Sequence, residues 1–123
     1  KIRGLKMKIA VIGSRDIMPN IEKIIRDIQK ITDEKPTIIS GGAKGTDQQA
    51  KIAAKKMEWE YIEYRPNYEL YGTPAPIIRN RQIIEQAEYV LAYWNGESKG
   101  TAQAIEYAKK KGKKGIVKIP KEK

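Results

Sequence analysis

The chain has 123 residues and a net charge of +10, and it contains neither cysteine nor histidine. This length fits one domain with a substantial core and is too short for two. The composition excludes a disulfide scaffold, a cysteine or histidine nucleophile and the usual zinc sites. No apolar run approaches the roughly 20 residues of a membrane span and no signal-peptide pattern opens the chain, so we expect a soluble, cytoplasmic protein.

Six residues precede Met7, and the stretch from Met7 to Gly13 is typical of a natural start that runs into a strand. We therefore expect residues 1–6 to be an upstream or cloning-derived extension and residues 7–123 to form a single domain. The positive charge suggests an acidic partner such as a nucleotide or nucleic acid. The alternative is a solvated lysine-rich surface, as is ordinary in proteins from hot environments.

Strand and helix patterns alternate along the chain. Short apolar runs bounded by turn residues predict strands over 8–13, 37–40, 60–64, 89–94 and 116–119. Helical spacing predicts helices over 19–31, 48–57, 77–87 and 102–111. Residues 67–76, rich in tyrosine, glycine and proline, are predicted as a loop that covers a site. The alternation predicts an α/β fold, a single doubly wound Rossmann-like domain with about five mostly parallel strands and helices on both faces.

Three turns rich in small residues follow predicted strands, at the carboxyl ends where open parallel sheets bind ligands. They are Gly13-Ser14-Arg15, the stretch from Ser40 to Asp47, and the stretch from Asn95 to Thr101. Because they share one edge of the predicted sheet, the three turns together indicate a binding site more strongly than any one of them alone.

The second turn is the central candidate. Its glycines, Gly41, Gly42 and Gly45, lack the Cβ atoms that would keep a bound group off the backbone, and they permit positive φ. Several N–H groups can then converge on one anion, at which the following helix also points its positive end. The turn therefore predicts a phosphate site that requires no metal or cofactor. The alternative is a tight connection in which the glycines serve geometry alone.

Several side chains near these turns each allow two interpretations. Arg15 and Arg79 are candidates for bidentate phosphate contacts, or for structural ion pairs with Asp16 or another carboxylate. Lys44 is either a point charge for a phosphate or a solvated lysine. Asn80 is ordinarily explained as a helix cap.

Three aromatic residues and one carboxylate allow two interpretations as well. Tyr68, Tyr71 and Trp94 either stack on a base or pack. Asp47 either acts as a carboxylate on a ligand or stabilises the start of a helix.

In order and spacing, four motifs resemble the SLOG superfamily, which joins DNA processing protein A, the lonely guy phosphoribohydrolases and the small YspA-like proteins. The motifs are Gly13-Ser14-Arg15, Ser40-Gly41-Gly42-Ala43-Lys44-Gly45-Thr46-Asp47, Arg79-Asn80 and Ser98-x-Gly100-Thr101. The compact length is most similar to the YspA-like branch. The segment Ile78-Arg79-Asn80-Arg81 also resembles the Arg-Asn-Arg segment of DNA processing protein A.

The resemblance implies a Rossmann-like sheet that binds a nucleotide, a nucleotide derivative or nucleic acid, without a cofactor. It also implies a homodimer or a higher homo-oligomer, because family members often pair through helices. The residues it implies as ligand contacts, together with those of the turns, are Gly13, Ser14, Arg15, Ser40, Gly41, Gly42, Ala43, Lys44, Gly45, Thr46, Asp47, Arg79, Asn80, Ser98, Gly100 and Thr101.

The sequence departs from the hydrolases of the superfamily at one informative place. They carry a glutamate two or three residues after the Gly-Thr pair, where this chain has Gln103 and Ala104. An amide neither takes nor gives a proton near neutral pH. We therefore expect a nucleotide sensor or carrier without chemistry. The alternatives are a protein that binds single-stranded nucleic acid and a phosphoribohydrolase that uses Asp47 and Arg79.

Overall fold

The computed structural model describes residues 6–119. Five strands form one parallel sheet in the order β3-β2-β1-β4-β5: β1 (Lys8–Gly13), β2 (Thr37–Ser40), β3 (Glu60–Glu63), β4 (Tyr89–Tyr93) and β5 (Lys114–Lys118). The helices are α1 (Ile21–Ile31), α2 (Thr46–Met57), α3 (Tyr68–Tyr71), α4 (Ala75–Gln86) and α5 (Lys99–Lys110). The predicted doubly wound α/β fold is confirmed.

The central strand β1 shows why helices cover both faces of the sheet. Its residues from Ile9 to Ile12 are apolar and buried, with side chains on alternate sides, as in a strand enclosed by two layers. Ile9 and Val11 face the core that α1 and α2 complete, whereas Ala10 and Ile12 face the core that α4 and α5 complete. In each layer the helices present apolar residues at helical spacing toward the sheet.

The helices α2, α4 and α5 each begin two or three residues earlier than predicted. For α5 the reason is a cap, since the Ser98 side chain accepts a hydrogen bond from the backbone N–H of Thr101. The prediction of residues 67–76 as a loop was partly wrong. The Asn67 side chain accepts a hydrogen bond from the N–H of Leu70 at 3.0 Å, which starts the one-turn helix α3.

Two parts of the sequence predictions concern the chain ends. Within the expected extension, residues 1–5 lie outside the described residues, as do residues 120–123 at the lysine-rich end. In the part between them, no helix is both long enough and apolar enough to cross a membrane.

The strand order creates a single switch point. From β1 the chain moves outward through β2 to β3, with α1 and α2 on one face, and then returns to β4 on the other side of β1. Because α4 and α5 cover the opposite face, the connections that leave β1 and β4 diverge at the carboxyl edge. Ligands of open α/β sheets bind in the crevice at such a point.

Candidate functional site

A cleft of about 430 Å³ opens at this switch point. Most of the predicted site residues line it: Gly13, Ser14, Arg15, Gly41, Ala43, Asp47, Arg79, Asn80, Ser98, Gly100 and Thr101. The other lining residues were not singled out as ligand contacts in the sequence: Ile12, Asp16, Pro76, Ile83 and Ala104. Of these, only Asp16 carried a signal, as a carboxylate directly after the first turn and a suggested ion-pair partner. The structure thus brings all three turns to one cavity.

Five predicted site residues do not line this cleft. Ser40 is buried and donates a hydrogen bond from Oγ to the carbonyl of Val11 at 2.9 Å. Thr46 is buried and donates from Oγ1 to the carbonyl of Ile17 at 3.3 Å. At Gly45 an added Cβ would lie 2.5 Å from the carbonyl oxygen of Arg15. These three positions therefore hold the connection together.

The remaining two, Gly42 and Lys44, lie on the other side of the turn. They line a shallow depression of about 170 Å³ with Glu63 and Arg65. Gly42 has a positive φ of 76°, and a Cβ there would lie 2.5 Å from Cδ of Glu63. Glu63 is itself paired, with Lys51 Nζ at 3.6 Å and Arg65 Nε at 2.7 Å. Its charge reduces the attraction of this depression for an anion.

The central turn is closed by its own carboxylate. Oδ2 of Asp47 accepts a hydrogen bond from the backbone N–H of Ala43 at 3.1 Å. Burial raises the pKa of Asp47, while the hydrogen bond from Ala43 and the positive charge of Arg79 act in the opposite direction. One of the N–H groups that the sequence offered to a phosphate is therefore engaged within the protein.

Arg79 reaches from α4 across the cleft to the same turn. Its Nη1 donates to the carbonyls of Gly41 at 2.9 Å and Tyr64 at 3.3 Å, and its Nε donates to Oδ1 of Asn80 at 2.8 Å. Asn80 thus lies within α4 and orients an arginine, so the prediction that it caps the helix was wrong. A Cβ at Gly41 would lie 2.6 Å from Nη1 of Arg79, which explains a glycine there.

The charge of Arg79 is only partly balanced. Burial lowers its pKa most, and the positive charge of Arg15 lowers it further, whereas Asp47 and Tyr68 raise it. An arginine nevertheless stays protonated at neutral pH. Within residues 6–119, Nη2 of Arg79 has no hydrogen-bond partner, and the side chain faces the cleft. One edge of a buried guanidinium is therefore available to a ligand.

Arg15 adds a second positive charge at the mouth of the cleft. It is exposed, and in the described part of the chain its side chain makes no ion pair or hydrogen bond. The suggested pairing with Asp16 is not observed, because the Asp16 carboxylate accepts hydrogen bonds from Nδ2 of Asn95 at 3.0 and 3.1 Å. Two guanidinium groups thus converge on one cavity.

Hydroxyl groups and a helix end complete the lining of the cleft. Oγ of Ser14 lies 3.4 Å from Oγ1 of Thr101, and it accepts the backbone N–H of Asn95 at 3.2 Å. The first N–H groups of a helix have no partner within it and attract anions, and α5 begins at this part of the lining. Each hydroxyl can reorient to donate to a phosphate oxygen.

The aromatic candidates separate into two groups. Trp94 donates from Nε1 to the carbonyl of Ser98 at 3.0 Å, so it supports the turn after β4. Tyr68 is 57% exposed and Tyr71 is 38% exposed, both on the short helix α3. Tyr68 lies close enough to Arg79 to affect its pKa. The two tyrosines therefore remain available for stacking.

The positions of the hydrolase glutamate offer no carboxylate. Gln103 is exposed and does not line the cleft, and Ala104 lines it with a methyl group. The carboxylates that do line the cleft, Asp16 and Asp47, both accept hydrogen bonds from the protein.

A sequence profile described as DNA recombination-mediator protein A matches residues 2–64, about half of the chain. The chain belongs to this family. The predicted relation to the SLOG superfamily is confirmed, and the YspA-like branch stays a prediction. No curated protein sequence matches the chain significantly.

Solved structures agree with the fold. DNA processing protein A from Streptococcus pneumoniae is 21% identical, with a TM-score of 0.76 over 95% of this chain and 51% of the other. DNA processing protein A from Helicobacter pylori, whose structure describes a single-stranded DNA binding mode, is 21% identical, with a TM-score of 0.72 over 94% of this chain and 66% of the other. TM1055 is 19% identical, with a TM-score of 0.64 over 89% of this chain and 72% of the other. The chain thus spans about half to two thirds of the first two proteins.

Proposed function

We propose that the cleft binds a phosphate group of single-stranded DNA, with the adjoining nucleotide held against its rim. The observation that carries this proposal is the convergence of Arg15 and Arg79 on a cavity in which neither guanidinium forms an ion pair within residues 6–119. Two like charges held together in a protein favour an anion between them, and a guanidinium matches a phosphate with two parallel hydrogen bonds.

The remaining walls fit the same ligand. The N-terminus of α5 and the hydroxyls of Ser14 and Thr101 line the same cleft and offer further donors to the phosphate oxygens. Tyr68 and Tyr71 lie exposed on α3, whose neighbour α4 carries Arg79. An exposed ring beside a phosphate site is the arrangement that stacks a base without reading its identity.

Family membership and charge favour a DNA strand as the source of the phosphate. The related protein from Helicobacter pylori is described by its single-stranded DNA binding mode. The net charge of +10 supports a polyanion as partner. A single small nucleotide is the second candidate, because 430 Å³ lies in the size range of small-molecule sites.

Replacing Arg15 with methionine tests the proposal. Arg15→Met removes one charge at an exposed position, so the fold should be unaffected while affinity for oligothymidylate falls about tenfold. Arg26→Met is the matched control, because Arg26 is an exposed arginine on α1, on the opposite face of the sheet. Fluorescence anisotropy at two salt concentrations measures both variants.

The outcomes distinguish a DNA strand from a single small nucleotide as the ligand. Equal affinity of Arg15→Met and Arg26→Met for the strand would contradict the proposal. A thermal shift with a deoxynucleoside monophosphate that depends only weakly on salt, without any binding of the strand, would favour the small-nucleotide site.

A further inference from the structure

A second concavity, larger than the cleft, lies outside it in a groove of about 780 Å³ between α4 and α5. We call it the outer groove and define it by Ile77, Arg81, Gln103, Tyr107, Lys109 and Lys110. It shares Asn80, Gly100 and Ala104 with the cleft, so the two cavities adjoin. We infer that a strand held in the cleft continues along the outer groove, an inference that rests on the proposed function.

The outer groove carries a net positive charge. Arg81, Lys109 and Lys110 are exposed, and none of them forms an ion pair within residues 6–119. Glu106 is the acidic residue on its lining. In the depression on the other side of the central turn, by contrast, Glu63 pairs with both Lys51 and Arg65. Both linings carry three positive side chains and one carboxylate, but the three cations of the outer groove are unpaired within residues 6–119 and are therefore free to contact a polyanion that leaves the cleft.

The ring of Tyr107 holds part of this charge in place. The guanidinium of Arg81 lies 5.2 Å from the ring centroid, and the ammonium of Lys111 lies 5.5 Å from it. The Tyr107 hydroxyl donates to the carboxylate of Glu85, which fixes the ring on the helix pair. Because the Arg81 side chain is already oriented by the ring, it loses less conformational entropy when it contacts a phosphate.

The length of the outer groove suits several nucleotides. Gly100 lies at the start of α5 and Lys110 at its end, a distance of about 15 Å along the helix axis. A stacked strand advances about 3.4 Å per nucleotide, so this path accommodates a few of them. Phosphate contacts along the helix would therefore add to the contact in the cleft.

A second copy of the chain is a poorer occupant of the outer groove. In a two-fold dimer the same patch meets itself, which would bring the unpaired Arg81, Lys109 and Lys110 of one copy against those of the other. Like charges placed opposite each other oppose association. A strand of phosphates supplies the opposite charge at regular intervals instead.

The test compares two double variants on two probes. Lys109→Gln/Lys110→Gln removes two charges from the outer groove, and Lys30→Gln/Lys55→Gln removes two from the opposite face. All four lysines lie in the last turns of helices, so the loss of favourable interaction with the helix dipole is matched. The probes are a thymidine dinucleotide and an oligothymidylate of about 12 nucleotides.

For the longer probe, the slope of log affinity against log salt should fall by about 1.4 in the outer-groove variant, since each phosphate contact on a single strand contributes about 0.7. Dinucleotide affinity should match that of the unmodified chain, and the control should match it for both probes. Equal slopes for the two variants would overturn the inference, as would an equal loss of affinity for both probes. Failure of the unmodified chain to bind either probe would instead overturn the proposed function, and the inference with it.

Discussion

Two glycine-containing turns lie side by side at the carboxyl edge of the sheet, and they have different structural roles. The turn after β2 is closed: Asp47 binds the N–H of Ala43, and Gly45 packs against the backbone of the first turn. The turn after β4 is open, because a Cβ at Gly96 or Gly100 would meet nothing within 4 Å. Both turns line the cleft, but the glycines of the turn after β2 pack closely against other parts of the chain, whereas those of the turn after β4 face free space.

This difference shows that a glycine has two distinct reasons to be present. One is a backbone that needs positive φ or that approaches another backbone closely. The other is space left for a group that is not part of the chain. In this protein the first reason applies to Gly45, and we propose the second for Gly100, which borders both the cleft and the outer groove.

The largest expected effect belongs to the closed turn. Gly45→Ala should lower the free energy of unfolding by about 3 kcal/mol, because its Cβ would lie 2.5 and 2.6 Å from two carbonyl oxygens at a φ of 78°. Gly96→Ala is the control, since Gly96 has a φ of 87° with no atom near its Cβ, and should cost about 1 kcal/mol. Denaturant unfolding measures both. Equal losses would mean that close packing contributes nothing at Gly45.

The sequence was sufficient to predict the layers of the fold. Apolar runs and helical spacing are local signals, and they located all five strands and the four long helices within a few residues. Helix starts were placed less well: α5 begins at a cap by Ser98, whereas α2 and α4 begin without a side-chain cap. The short helix α3 was missed, since a single turn of four residues is too short to show helical spacing in the sequence.

The sequence also predicted correctly which turns share the site, but it did not reveal which side of each turn faces the cleft. Gly41 and Gly42 are adjacent, yet Gly41 contacts Arg79 and Gly42 contacts Glu63 on the opposite side. Such orientation depends on φ and on partners far away in the chain. The same limit applies to Asn80, whose role follows from a contact with Arg79 and not from its place near a helix start.

A smaller effect on stability should come from Asp47, the carboxylate that closes the turn, and it should depend on pH. Burial raises the pKa of Asp47, so the folded chain holds this proton more tightly than the unfolded chain does. The contribution of Asp47 to stability is therefore fully present below the ordinary pKa of 3.8 and is lost as pH rises through the raised value. Asp47→Asn lacks this dependence.

Unfolding of both chains in denaturant between pH 3 and pH 7 measures this contribution. The stability of the unmodified chain relative to Asp47→Asn should fall as pH rises from the acid end of that range. A relative stability that rises with pH would show the reverse order of effects, with the attraction between Asp47 and Arg79 outweighing the cost of burial.

The smallest expected change in stability belongs to the open turn. Gly100 lies in the first turn of α5 without positive φ, and alanine is the better helix former, so Gly100→Ala should raise the free energy of unfolding by about 0.5 kcal/mol. The added methyl group would project into the junction of the cleft and the outer groove, so affinity for oligothymidylate should fall. Thermal unfolding and anisotropy measure the two effects on one sample. A more stable variant with unchanged affinity would mean that the strand does not use the open space at Gly100. The two turns would then differ only in how closely their glycines are packed.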